Sequence, residues 1–194
     1  MIDACAGEGG KTLALATMMG GKGRIFACDV SDKKLETLRR RVRRAGFSNV
    51  ATVLLPREGA LPPQLPEADR ILVDAPCSGI GTLRRNPEAK SRLDRNAPTR
   101  LAKEQRAIVE RFVPLLSPGA RLIYATCTVL REEDEETVEA IRARHPALEP
   151  MRVAELRGDA RDLTDETGTW LRLFPHRHHT DGFFAAVLRR AGGQ

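Results

Sequence analysis

Hydrophobic positions along the chain alternate between short apolar runs and longer stretches with a helical period. Arg24–Cys28 (RIFAC), Val50–Leu55, Arg70–Val73 (RILV) and Arg121–Ala125 are short runs of the kind that form strands buried on both faces. Between them, Leu35, Leu38, Val42 and Ala45 line one side of Asp32–Ala45, which predicts an amphipathic helix stopped by Gly46. Lys11–Met19, Thr99–Leu116 and Glu132–Arg144 read as further helices, the last ended by His145-Pro146. Its acids Glu132–Glu136 fall in a first turn, where negative charge suits the helix dipole. Ser117-Pro118-Gly119 predicts a turn into the strand Arg121–Ala125, and Gly182–Leu188 (GFFAAVL) predicts a final strand. A Pro-rich loop surrounds Pro62, Pro63 and Pro66, and a loop rich in Arg, Asn and Pro runs to about Pro98. The alternation predicts an α/β fold, a mostly parallel twisted sheet flanked by helices.

The start of the chain departs from that plan. Gly7, Gly9 and Gly10 form a tight turn directly after Met1-Ile2-Asp3. In a nucleotide-binding α/β unit such a turn follows the full central strand of the sheet. The expectation is therefore a first central strand largely missing at the N-terminus, with an upstream region belonging before Met1. Residues 1–194 otherwise read as a single domain, with no internal repeat.

Composition narrows the classes. A hydrophobic share of 41% with 30% charged residues is that of a globular protein, and no apolar run reaches the roughly 20 residues that span a bilayer. No membrane partner is expected, and a cytoplasmic location is. The cysteines Cys5, Cys28, Cys77 and Cys127 are spread without paired spacing, which argues against both a zinc site and a disulfide framework. His176, His178 and His179 lack a supporting cysteine or carboxylate pair, so no metal is expected. Lys and Arg number 32 against 26 Asp and Glu, a net charge of +6. Arginines cluster at Arg39–Arg41, Arg43 and Arg44, at Arg84 and Arg85, and at Arg92, Arg95 and Arg100. Arg forks match phosphate oxygens, so a polyanionic partner suits them, as does a solvated helix face.

Four short motifs carry candidate chemistry. In Asp3-Ala-Cys-Ala-Gly-Glu-Gly-Gly-Lys-Thr12 the glycines let backbone approach a ligand at a helix start. The spacing matches neither the Walker A loop nor the dinucleotide fingerprint. Asp29, at the end of the next strand, stands where an acid accepts hydrogen bonds from ribose hydroxyls, since Ser31 and Asp32 are better placed to cap the following helix. Asp74-Ala-Pro-Cys-Ser-Gly79 and Ala125-Thr-Cys-Thr128 each set a cysteine just past a strand end. The carboxyl ends of parallel strands face the ligand crevice, so two thiols and one carboxylate should converge there. Cys5 and Cys28 lack that context as thiols.

These motifs together resemble the catalytic domain of the Sun/Fmu-type (RsmB-like) RNA (cytosine-5) methyltransferases. The resemblance runs from Asp3 to about Arg190 and rests on DACAGEGGKT, DAPCSG, ATCT followed by Glu132-Glu133-Asp134, and Asp181-Gly-Phe-Phe184. It implies a Rossmann-like class I methyltransferase fold and S-adenosylmethionine as cofactor, held by Cys5, Ala6, Gly7, Glu8, Gly9, Gly10, Lys11, Asp29 and Asp74. It also implies Cys127 as the thiol that adds to cytosine C6, Asp74 at the N3/N4 edge of the base, and Cys77 assisting release. Pro76, Ser78, Arg84 and Arg85 would meet the RNA, ribosomal RNA first and transfer RNA second. Where the family has an acid at the adenine edge, Leu55-Pro-Arg-Glu-Gly59 offers Glu58; Glu8 stands where family members usually carry proline. The family's N-terminal RNA-binding region is absent from these residues. Other readings remain: a DNA cytosine-5 methyltransferase with Cys77 as nucleophile, a non-catalytic RNA-binding remnant and, most distant, a nicotinamide oxidoreductase on the same sheet.

Overall fold

The computed structural model describes residues 1–92 and 94–192, and the side chains of Ala89 and Arg92 lie outside the described residues. Among the described residues eight strands form one sheet: β1 (Ile2–Asp3), β2 (Ile25–Asp29), β3 (Val50–Leu54), β4 (Ala68–Asp74), β5 (Leu116–Thr126), β6 (Leu148–Met151), β7 (Leu171–Leu173) and β8 (Phe183–Arg190). Helices α1 (Gly10–Met18), α2 (Asp32–Ala45), α3 (Ala97–Phe112), α4 (Glu135–Arg144), α5 (Val153–Leu156) and α6 (Pro175–His178) connect them. The order is β3-β2-β1-β4-β5-β8-β6, with β7 paired to β8. Strands β1 to β5 pair in parallel, and β8 runs antiparallel between β5 and β6. This is a Rossmann-like sheet whose order reverses at β1 and β4.

The central strand β1 bonds on both sides. Ile2 stands opposite Phe26 and Ile71, and Asp3 opposite Ala27 and Leu72. Beyond its end the pairing continues, with Ala4 N–H donating to Leu72 O and Ala6 N–H to Cys28 O, both at 2.8 Å. Ile2, Ile71, Val73, Leu122 and Tyr124 are inaccessible to solvent and pack with Val109 and Phe112 of α3 and Val138 and Ile141 of α4. A second cluster sets Ala6 and Ala27 against Leu38 and Val42 of α2. Helix α2 keeps its predicted bounds, capped by Ser31 and closed by Gly46 at φ 74°.

Three expectations needed revision. Ser117-Pro118-Gly119 is no turn before the strand but an excursion inside β5: the register passes from Ala68↔Leu116 to Arg70↔Arg121, so Ser117–Ala120 stand against Asp69 alone. The helix expected over Thr99–Leu116 ends at Phe112 and tightens into one 3-10 turn around Pro114. The helix expected from Glu132 begins only at Glu135, because Glu133 and Asp134 are fully buried and bond elsewhere. Strands β6 and β7 lie in a stretch without clear periodicity; β6 is an edge strand that tolerates Pro150.

Ile71 tests the core. Truncation of this fully buried β4 side chain, Ile71→Ala, should cost about 3–4 kcal/mol in chemical denaturation, by lost burial and the cavity left behind. Leu54→Ala, at a side chain 49% exposed, should cost well under half of that. Equal losses would misplace the core.

Candidate active site

The site grows from the parallel pairing of β4 with β5. Asp74 stands opposite Ala125 at their carboxyl ends, so Cys77 and Cys127 leave adjacent strands side by side. Their Sγ atoms are 3.3 Å apart, and Cys127 N–H also donates to Cys77 Sγ at 3.3 Å. A shared proton makes the two thiols unequal. The hydrogen bond from Cys77, opposed by burial and Asp74 and aided by a backbone N–H and Lys11, draws the Cys127 thiol down to about 7. The same bond, with burial behind it, pushes the Cys77 thiol far up. The two thiols thus titrate as one coupled pair, with Cys127 drawn down and Cys77 pushed up. Burial raises the Cys5 and Cys28 thiols, the latter to about 12.

Lys11 is the first lysine of α1, and its Nζ lies 2.7 Å from Asp74 Oδ2 and 5.7 Å from the centre of the Phe183 ring. It thus faces the thiol crevice. Beneath it Asp3 is buried, accepts from Thr12 Oγ1 at 2.6 Å, and is raised to about 6 by burial. Asp29 fixes the glycine turn: its Oδ2 accepts from Gly7 N at 3.0 Å and its Oδ1 from Ser31 N at 2.8 Å. Gly7 and Gly9 take φ of 55° and 90°, and a Cβ on Gly9 would lie 2.8 Å from Leu38.

Beside the thiols a cleft of about 350 Å³ opens over the strand ends. Cys5, Gly7, Asp29 and Asp74, expected at the cofactor, and Pro76, expected at the RNA, line it together with apolar Leu55 and Ile108 and charged Arg57 and Arg111. Its mixed lining, an acid at the β2 end and a glycine turn beneath, fits an adenosine-sized ligand. Other predicted contacts fall outside the lining. Glu58 is exposed while its neighbour Arg57 lines the cleft; Ala6 and Gly9 are buried, and Glu8 and Gly10 are exposed away from it. Ser78 is buried, with its Oγ 2.9 Å from Thr128 Oγ1, and so ties the two strand-end turns together. Arg84 and Arg85 are exposed, and Arg85 pairs with Asp181.

The sequence reading missed what holds the turns. Gln105 of α3 donates from Nε2 to Pro76 O at 2.9 Å and to Glu133 Oε2 at 2.8 Å. Glu133 Oε2 also accepts from Ser78 N at 2.9 Å, and the Tyr124 hydroxyl lies 2.6 Å from Glu133 O and 2.9 Å from Gln105 Oε1. Asp134 accepts from Thr126 Oγ1 at 2.6 Å and is pushed up to about 8 by burial. Glu133 and Asp134 are thus not helix-dipole acids but buried ties between strand ends. One signal was available: Gln105 occupies the apolar stripe of α3 between Ala102 and Val109. Gly81 was also missed, and Gly182 was read only within a strand and a motif; Gly81 N–H donates to Cys127 O at 3.0 Å, and a Cβ on Gly81 would meet Gly182 O at 2.3 Å. His178 Nδ1 accepts from Phe174 N within its own turn, and among the described residues no group of three or more His, Cys, Asp or Glu could hold a metal ion. No helix among them is long and apolar enough to cross a membrane.

The family model described as 16S rRNA methyltransferase RsmB/F matches residues 1–189. A probable ribosomal RNA small subunit methyltransferase B of Bacillus subtilis is 34% identical over 99% of this chain and 43% of its own length. The ribosomal RNA small subunit methyltransferase F of Klebsiella pneumoniae is 36% identical over 98% of this chain and 40% of its own. The chain therefore spans less than half the length of these curated relatives. The crystal structure of NSun6 from Pyrococcus horikoshii with SFG superposes with a TM-score of 0.81 at 29% identity, over 99% of this chain and 48% of that one. With paired strand-end cysteines on a sheet of this order, and a family match over almost its whole length, the chain belongs to the 16S rRNA methyltransferase RsmB/F family.

Proposed function

We propose that this chain carries the catalytic machinery for S-adenosylmethionine-dependent methylation of cytosine C5 in RNA, with ribosomal RNA as the substrate. The observation that carries the reading is the thiol pair, Cys77 and Cys127 at 3.3 Å beside Asp74 and the cleft. Cytosine C5 is a poor nucleophile until a thiolate adds at C6 and makes it enamine-like. Cys127, the more acidic thiol, has the character that addition needs. Asp74, oriented by Lys11, is set to hold the N3/N4 edge of the base and favour the protonated adduct. The base must leave any stacked helix first, since C6 is closed to attack within it. When bound, S-adenosylmethionine supplies the electrophilic methyl group. Asp29, Gly7, Cys5 and Pro76 are the residues that would hold it in the cleft. Cys77 lies 3.3 Å from the attacking sulfur, where its S–H can protonate the Cys127 thiolate as the C6–S bond breaks, once a base has taken the C5 proton. The greater acidity of Cys127 weighs against Cys77 as the nucleophile, the DNA-enzyme arrangement.

Names of the relatives support ribosomal RNA, and the exposed Arg84 and Arg85 offer phosphate contacts close in sequence to the Cys77 turn. Single cysteine substitutions test the assignment. Cys127→Ala should abolish both methyl transfer to small-subunit ribosomal RNA and the covalent protein–RNA species on denaturing gels. Cys77→Ala should still add to the base but release it slowly, so that the covalent species accumulates. The opposite pattern would move the nucleophile to Cys77.

Cofactor binding has its own test. Asp29→Ala should weaken S-adenosylmethionine binding in calorimetry by about tenfold or more, the scale of losing hydrogen bonds to a charged acceptor. An unchanged Kd would remove Asp29 from the site.

A further inference from the structure

Parallel pairing sets Cys77 and Cys127 on neighbouring strands, but both lie beyond the last paired residues, where the sheet no longer fixes their separation. We propose that Gln105 and Glu133 are positioning residues for the thiol pair, clamping the segment Pro76–Ser78 so that Cys77 Sγ stays within hydrogen-bond reach of Cys127. This rests on the reading of Cys127 as the attacking thiol and adds what keeps that thiol acidic.

The two residues grip both peptide flanks of Cys77. Gln105 Nε2 holds the carbonyl before it, Pro76 O, and Glu133 Oε2 holds the N–H after it, Ser78 N. Gln105 and Glu133 bond each other at 2.8 Å, so the two grips form one unit. Tyr124 anchors that unit to β5, three residues before Cys127, and the Ser78–Thr128 contact closes it one residue past Cys127. Both side chains are fully shielded from water. Burying an amide and a carboxylate costs stability unless their hydrogen bonds offset it, and an apolar side chain would continue the α3 stripe more cheaply. The groups that face Cys127 are Cys77, Asp74 and Lys11, and of these Cys77 has the largest influence on its acidity. Moving Cys77 away therefore leaves Cys127 closer to an ordinary thiol.

The test uses the full chain with iodoacetamide, reading Cys127 modification by peptide mass mapping as a function of pH, with thermal melts alongside. In the unsubstituted chain, half-maximal reactivity should fall near pH 7. Gln105→Leu removes the clamp at similar volume and should move that midpoint up by about one unit or more, toward the ordinary thiol value. Glu133→Gln keeps an oxygen that accepts from Ser78 and Gln105, and should keep the midpoint close to its original place. If Gln105→Leu fails to fold, Gln105→Asn shortens the reach with the polarity kept, and should shift the midpoint in the same direction. A lowered melting temperature with an unmoved midpoint would overturn the proposal and make the pair merely structural. The alkylation needs neither RNA nor cofactor, so its failure is separable from a failure of the cytosine reading.

Discussion

The parallel register of β4 on β5 is the constraint on which the rest of the molecule depends. With Asp74 opposite Ala125, every residue just beyond those ends is delivered to the same edge of the sheet. Parallel strands that order their ends this way require crossovers on the faces, and α3 supplies the one between β4 and β5. That helix has two tasks along one stripe. Ala102, Val109 and Phe112 bury apolar surface, and Gln105, at the same helical phase, reaches toward the strand ends. Core packing and site geometry are thus set by one docking of one helix.

The site concentrates buried acids. Asp3, Glu133 and Asp134 are wholly shielded, while Asp74 and Asp29 keep a face toward the cleft. Burial raises the Asp3 and Asp134 carboxyls, and neutral or hydrogen-bonded acids are the form in which a low-dielectric interior accepts them. Asp74 is treated differently: a lysine from α1 lies against it, and both remain partly accessible. The division is physically sensible, since a group that must meet substrate needs solvent access and one that ties backbone does not. Cys127 follows the same logic, half open and made acidic by a neighbour, whereas Cys5 and Cys28 are raised by burial.

Strand β1 is joined to the sheet on both of its sides. Two residues pair with both neighbours, and Ala4 and Ala6 carry the hydrogen bonding on into the glycine turn. The turn is then pinned by Asp29 through Gly7 N, so the β2 end and the β1 end are fixed relative to each other by one carboxylate. That same carboxylate lines the cleft, which couples the shape of the turn to the ligand side of the sheet.

Local pattern determined the helices and strands wherever periodicity or a buried apolar run was long enough: α2 to the residue, and β2 to β5 near their cores, because side-chain burial repeats at the period of the element. It also determined the strand-end position of both cysteines, of Asp29 and of Asp74, since turn chemistry is written locally. It could not separate Glu133 and Asp134 from an ordinary acidic first turn; their partners Ser78, Gln105 and Thr126 lie in other elements, and only packing brings them together. Nor could local pattern place Glu58 outside the cleft and Arg57 in its lining, or turn Ser78 inward, because loop side chains take their direction from the surface they cross. The inequality of the two thiols belongs to tertiary structure as well. Sequence set each cysteine past a strand end, but only their 3.3 Å approach couples the two thiols and draws that of Cys127 down.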